Sequence, residues 1–125
     1  MKFELDLGSG HNLRIAAYAA GSVTVATVVY RHSIVLAPNR PVMPWPPAQF
    51  SDLAPGHFEL LAAVEPEVVL IGTGGKLQFP AMDLLSPLVS RNIGFEIMDT
   101  GAACRSYNFL LGEGRQVAAA LLMID

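Results

Sequence analysis

The chain has 125 residues, with eight Lys and Arg against eleven Asp and Glu for a net charge of −3, and it is 52% hydrophobic but only 15% charged. That length fits one domain over residues 1–125, and the scarcity of charge leaves little room for a solvated disordered tail. Two lysines (Lys2 and Lys76) and six scattered arginines form no basic stripe, which excludes nucleic-acid binding as a partner class. The longest apolar run, Val117 to Ile124, falls far short of the roughly 20 residues of a membrane helix, so no span is expected. The acids in Met1–Asp6 stand where a secretory signal needs apolar residues, and a lone Cys104 allows no internal disulfide, so a cytoplasmic location is expected. The surplus of apolar residues points to a protein partner or a homodimer.

Residues 13–37 alternate and are rich in Val, Ile, Tyr and Thr. With Gly21-Ser22 between Ile15–Ala20 and Val23–Val29 they predict a hairpin, followed by a third strand over Ser33–Ala37. Five prolines from Pro38 to Pro47 surround the only tryptophan, Trp45, and rule out a helix or central strand there. An extended strap with Trp45 packed on the core is preferred to a proline-rich ligand, because the proline spacing is irregular.

Ser51-Asp52 starts a short turn, and Phe58, Leu61 and Ala62 at helical spacing predict a helix over His57–Val64 that stops at Glu65-Pro66. Val68–Ile71 is an unbroken β-branched run followed by Gly72-Thr73-Gly74-Gly75, the pattern of a central strand with a tight exit. A helix over Met82–Arg91, closed by Asn92, and a strand over Ile93–Met98 complete a right-handed parallel crossover. Asp99 and Thr100 both offer a cap for a helix from Gly101 to about Leu111, and Gln116–Ile124 is the last strand. The result is an α/β layered domain, a mixed sheet flanked by helices with an additional N-terminal β portion.

The glycine run lacks the third glycine of a dinucleotide fingerprint and the hydroxyl residue of a P-loop. If the two predicted strands are parallel neighbours, however, their carboxyl ends bring Gly72–Gly75 beside the amino end of the last helix, where free N–H groups favour an anion. That crevice is the default binding site, with Arg105 holding an anionic group and Asn108 and Asp99 orienting it. Cys104 shares a helix face with Asn108, and its thiolate would be favoured by the helix dipole. It has no base in a recognisable pattern among His11, His32 and His57, so a buried structural cysteine is preferred. Asp99 with Glu96, or Asp83 with Asp52, are acid pairs open to an acid–base role, but capping or exposure is the ordinary use of such carboxylates. Arg115 has three open roles: pairing with Asp99, pairing with Glu113, or closing the crevice. One cysteine and three scattered histidines match no metal pattern, so neither metal nor cofactor is expected.

Val68–Gly74, Gly94–Thr100, the pattern Thr100-x-x-Ala103-x-x-x-Tyr107-Asn108-x-Leu110, Glu113-Gly114-Arg115 and Ala118–Leu121 follow one another in an order that resembles the Mth938-like domain family. This is a domain of unknown function whose relatives include the mitochondrial respiratory complex I assembly factor 3. The resemblance implies a three-layer α/β fold with a mixed central sheet and an extra β portion, no established catalysis, and action through protein contacts. It carries over Gly72, Thr73, Gly74, Thr100, Ala103, Tyr107, Asn108, Gly114 and Arg115 as a pocket or surface. Without a mitochondrial presequence the chain resembles a compact bacterial member. The expected function is a non-enzymatic cytoplasmic interaction domain linked to respiratory or membrane protein biogenesis. The alternative is a small anionic-ligand binder or enzyme using the crevice at Gly72–Gly75 and Thr100–Arg105.

Overall fold

The computed structural model describes residues 13–125. Strands β1 (Ile15–Ala19), β2 (Ser22–Val25) and β3 (Val28–Tyr30) form an antiparallel three-stranded sheet. The remaining elements are β4 (Ile34–Leu36), β5 (Met43–Pro44), α1 (Pro55–Ala63), β6 (Val68–Gly72), α2 (Ser86–Val89), β7 (Gly94–Met98), α3 (Thr100–Gly112) and β8 (Val117–Leu121). The strands among them make a mixed sheet in the order β5-β4-β8-β6-β7, with β6 parallel to both β7 and β8.

Three expectations change. The strand expected over Val23–Val29 breaks in two, because Ala26 takes a left-handed turn (φ 53). The strand expected over Ser33–Ala37 leaves the hairpin and pairs antiparallel with β8, Ile34 opposite Leu121 and Leu36 opposite Ala119. All three residues of β4 are buried, which suits an interior strand of the larger sheet. The helix expected over Met82–Arg91 is a 3-10 turn (Met82–Leu85) running into the short α2. Pro87 has no N–H to donate to the Asp83 carbonyl, so the α-helical ladder cannot run through.

Alternation along the strands sorts the core into two layers. Val35, Val69, Ile71, Ala118 and Ala120 face one way and pack with Trp45, Phe58, Leu61, Leu85 and Leu88. Ile34, Leu36, Leu70, Ala119 and Leu121 face the other way, toward Ala103 and Tyr107 of α3 and Val23 and Val25 of the small sheet. The proline-rich strap is held as expected: the Trp45 indole is buried edge-on to Phe58, and its Nε1–H donates to the His57 carbonyl at 3.2 Å.

The small sheet is fastened to α3 by side chains that take the place of a neighbouring strand. Ile15 N–H donates to Asn108 Oδ1 at 2.9 Å, and Asn108 Nδ2 donates to the Ile15 carbonyl at 2.8 Å. From the adjacent position on the helix, the Tyr107 hydroxyl donates to the Leu13 carbonyl at 3.2 Å. Asn108→Ala leaves both Ile15 groups without their partner and should cost about 2 kcal/mol. Thermal denaturation measures the loss, and amide exchange at Ile15 should quicken more than exchange in β8.

Candidate functional site

The parallel strands β6, β7 and β8 end level, with Gly72 opposite both Met98 and Leu121. From this edge the chain leaves β6 toward α2 on one face and β7 toward α3 on the other, the arrangement that opens a crevice in open α/β sheets. Gly72 lies directly under Thr100: a Cβ there would come within 2.8 Å of Thr100 Oγ1. The buried Thr100 hydroxyl donates to the Leu122 carbonyl at 2.6 Å and accepts from Gly74 N–H at 2.9 Å. Thr100 N–H in turn donates to the Gly74 carbonyl at 2.9 Å. Gly74 makes this return possible at φ 100, a conformation that side chains resist. The Thr73 hydroxyl donates to the Lys76 carbonyl at 2.7 Å and accepts from Gln78 N–H at 3.2 Å.

Three of the helix amides expected to face an anion, those of Thr100, Ala102 and Ala103, are engaged within the fold. Asp99 is the cap: its Oδ1 accepts from Ala102 N–H at 2.9 Å, and its carbonyl accepts from Ala103 N–H. Gly101 is covered by the Tyr18 ring, 3.0 Å from where a Cβ would stand. The Arg105 guanidinium donates to the Tyr18 hydroxyl and lies 6.0 Å from that ring's centre, outside the helix terminus. Arg115 takes none of its three expected roles. It pairs with Glu67 at 3.0 Å: Val68 and Val117 are register partners, which sets Glu67 beside Gln116 and within reach of Arg115 one residue further back. This partner holds the Glu67 carboxyl below its ordinary range.

Cys104 and Asn108 point inward from α3. Burial pushes the Cys104 thiol up to about 12; the neighbouring Arg105 opposes the shift and Asp99 adds to it. His57 Nδ1 accepts from Ala54 N–H at 3.0 Å to cap α1, and His32 Nδ1 sits on the Ser33 carbonyl, while His11 lies outside the described residues. Among the described residues no three His, Cys, Asp or Glu side chains gather as a metal group.

Two cavities lie against the sheet, one at this end and one nearer the start of its parallel strands. One, of about 510 Å³, lies beyond the glycine loop, among Phe50, Ser51, Gly74, Lys76, Gln78 and Asp125. The other, of about 400 Å³, runs between α3 and strands β6 and β7, among Leu70, Glu96, Arg105, Phe109, Leu110 and Arg115. Of the residues singled out from sequence, Thr73, Gly74 and Gly75 border the first cavity and Glu96, Arg105 and Arg115 the second. Asp99, Thr100, Cys104 and Asn108 border neither. Sequence reasoning passed over Lys76 and Phe109. Only the position of Lys76 after the glycine run carried a signal for either.

This fold and loop arrangement is that of a known family. The family model described as a protein of unknown function (DUF498/DUF598) matches residues 15–122, and the chain belongs to it. A Bordetella pertussis protein described as a Mth938-like domain has the same fold, with a TM-score of 0.76 and 31% identity over 89% of this chain and 85% of that one. The mouse NADH dehydrogenase (ubiquinone) 1 alpha subcomplex assembly factor 3 is 33% identical over 86% of this chain, which spans 59% of the length of that relative. A Francisella tularensis protein named 13 kDa major membrane protein is 25% identical, over 84% of this chain and 86% of its own length.

The buried thiol generates a pH prediction. The folded-state pKa of Cys104 lies above that of the unfolded thiol, so unfolding releases a proton at alkaline pH and stability falls as pH climbs from about 9 toward 12. Denaturant titrations across that range should show a shallower fall for Cys104→Ala, and native protein at pH 8 should resist Ellman's reagent until denaturant is added.

Proposed function

We propose that this chain is a non-enzymatic cytoplasmic docking protein that assists the assembly of respiratory or other membrane-associated proteins. The observation that carries this reading is where the free chemistry lies. The hydroxyls of Thr73 and Thr100, the Gly74 amide and the Asp99 carboxylate are bonded within the fold, whereas large apolar side chains stand in solvent. Phe79 is 70% exposed, Phe109 68% and Met82 63%, and Leu77 and Val89 are half exposed. Such side chains are the usual anchors of a protein interface, desolvated when a partner covers them. The mouse assembly factor lends the reading its biological direction.

A second reading, a small anionic-ligand binder, draws on the cavity beside the glycine loop, where Lys76 supplies the cation and Gln78 a neutral polar side chain. Thermal shift with inorganic phosphate separates the two readings, since a rise that Lys76→Ala abolishes belongs to the ligand reading alone.

The docking reading is tested in a deletion strain by native-gel quantification of assembled respiratory complexes. The wild-type gene should restore them, and Phe79→Ser/Phe109→Ser should restore at least about tenfold less, the effect of removing two interface anchors. Unchanged complexes in the deletion strain would refute it.

A further inference from the structure

Among the described residues the two sheets present four free strand edges, β5 and β7 on the larger sheet and β1 and β3 on the smaller. Folded proteins blunt such edges with charged side chains, lysine above all, or with prolines, very short strands, bulges or covering elements. The only charge on β7 is the carboxylate of Glu96, and the other edges carry a backbone device. Three of the four carry a device of this kind. β5 is two residues long, includes Pro44 and lies within the proline-rich strap. β3 has three residues. β1 has an irregular register between Ile15 and Ala17 and is clamped to α3 through Asn108. β7 runs for five residues with no proline, no lysine and an unbroken register on β6.

The open side of β7 presents a defined set of groups. Thr73 N–H donates to the Met98 carbonyl, so Met98, and by strand alternation Glu96 and Gly94, direct their peptide groups toward β6. The N–H and C=O of Phe95 and Ile97 therefore point out of the sheet. On one face the Phe95 and Ile97 side chains pack into the layer of Leu85 and Leu88, on the crossover that also carries the exposed Leu77, Phe79, Met82 and Val89. On the other face Glu96, exposed and in no ion pair among the described residues, rims the cavity that holds Phe109.

We propose that β7 is the docking edge of this protein, and that its occupant is an extended segment of a different protein that adds to the sheet as a sixth strand. This rests on the docking reading above and gives it a surface. Backbone bonds to Phe95 and Ile97 supply the pairing, the added strand's apolar side chains cover the Phe95–Ile97 face, and a lysine or arginine on its other face meets Glu96. A second copy of this chain fits the edge poorly. The antiparallel register that uses both outward residues sets Glu96 against its own symmetry mate, which is repulsive. Shifting one way enlists Ile93, whose N–H is already donated to the Leu88 carbonyl; shifting the other way enlists Asp99, whose carbonyl already accepts from Ala103.

The test places photoreactive benzoylphenylalanine at Gly94, where a Cβ meets nothing closer than 3.7 Å, in the full chain in cells. Ultraviolet crosslinks should map to one short segment of another polypeptide that carries a basic residue. Phe95→Pro, which removes an outward N–H and spares the β6 ladder, should cut their yield about tenfold. Glu96→Lys, a change at an exposed side chain, should do the same and keeps the test decisive if the proline variant folds poorly. Crosslinks to a second copy of this chain, or a yield unchanged in folded Phe95→Pro or in Glu96→Lys, overturn the inference. If the edge variants crosslink normally while the deletion strain still lacks complexes, docking stands and occurs elsewhere. If the deletion strain is normal while the crosslinks behave as expected, the edge stands and the assembly role falls.

Discussion

A single buried hydroxyl joins the parts of this protein that sequence leaves far apart. Thr100 Oγ1 holds the Leu122 carbonyl, just past the end of β8, and the Gly74 N–H, just past the end of β6, while the Thr100 backbone begins α3. Three chain segments meet there, and none can move without leaving a buried polar group unpaired, which costs more than an ordinary hydrogen bond contributes. Gly72 is required beneath it because any side chain would strike the hydroxyl. From this fixed start α3 runs across the sheet, and its length sets where Tyr107 and Asn108 meet the backbone of β1 and the segment before it.

The residues that resemble a ligand crevice therefore do structural work. A polar cluster at the carboxyl ends of parallel strands often binds a ligand, and here its donors and acceptors bind one another. With Thr100 locked, Asp99 capping and Cys104 buried, the surface left for function is formed by the rim of α3, the crossover between β6 and β7, and the edge of β7 itself. That surface sets the exposed Leu77, Phe79, Met82, Val89 and Phe109 among charged groups that include Glu96, a mixture suited to a polypeptide partner.

The parallel core was legible from sequence because Val68–Ile71 and Val117–Leu121 are unalternated apolar runs, the pattern of strands covered on both faces, and Ile93–Met98 follows a helix-length segment that completes a crossover. The strap was legible for a similar reason, since prolines restrict the chain wherever they stand. The break at Ala26 was not, because alanine carries no turn chemistry and its positive φ is imposed by the sheet around it. Nor was the sheet to which β4 belongs, since Ile-Val-Leu reads the same in either. For the site, the spacing of Asp99, Thr100, Cys104 and Asn108 placed them correctly on one helix, but the partners of Thr100 and Asn108 lie 22 to 93 residues away along the chain. The Glu67 partner of Arg115 was hidden likewise, 48 residues away and brought close only by strand register. Local pattern fixes which face a side chain takes, and long-range pairing decides whether that side chain is free.

The most direct test of this structural role is the stability of Thr100→Val, which keeps the shape of the side chain and removes its hydroxyl. Left with an unpaired Gly74 N–H and Leu122 carbonyl, the variant should lose about 2–4 kcal/mol in denaturant titration, with faster amide exchange at Gly74 and along the start of α3. A Thr100→Val protein of unchanged stability that nevertheless failed to restore respiratory complexes would contradict it, and would return Thr100 to a functional crevice.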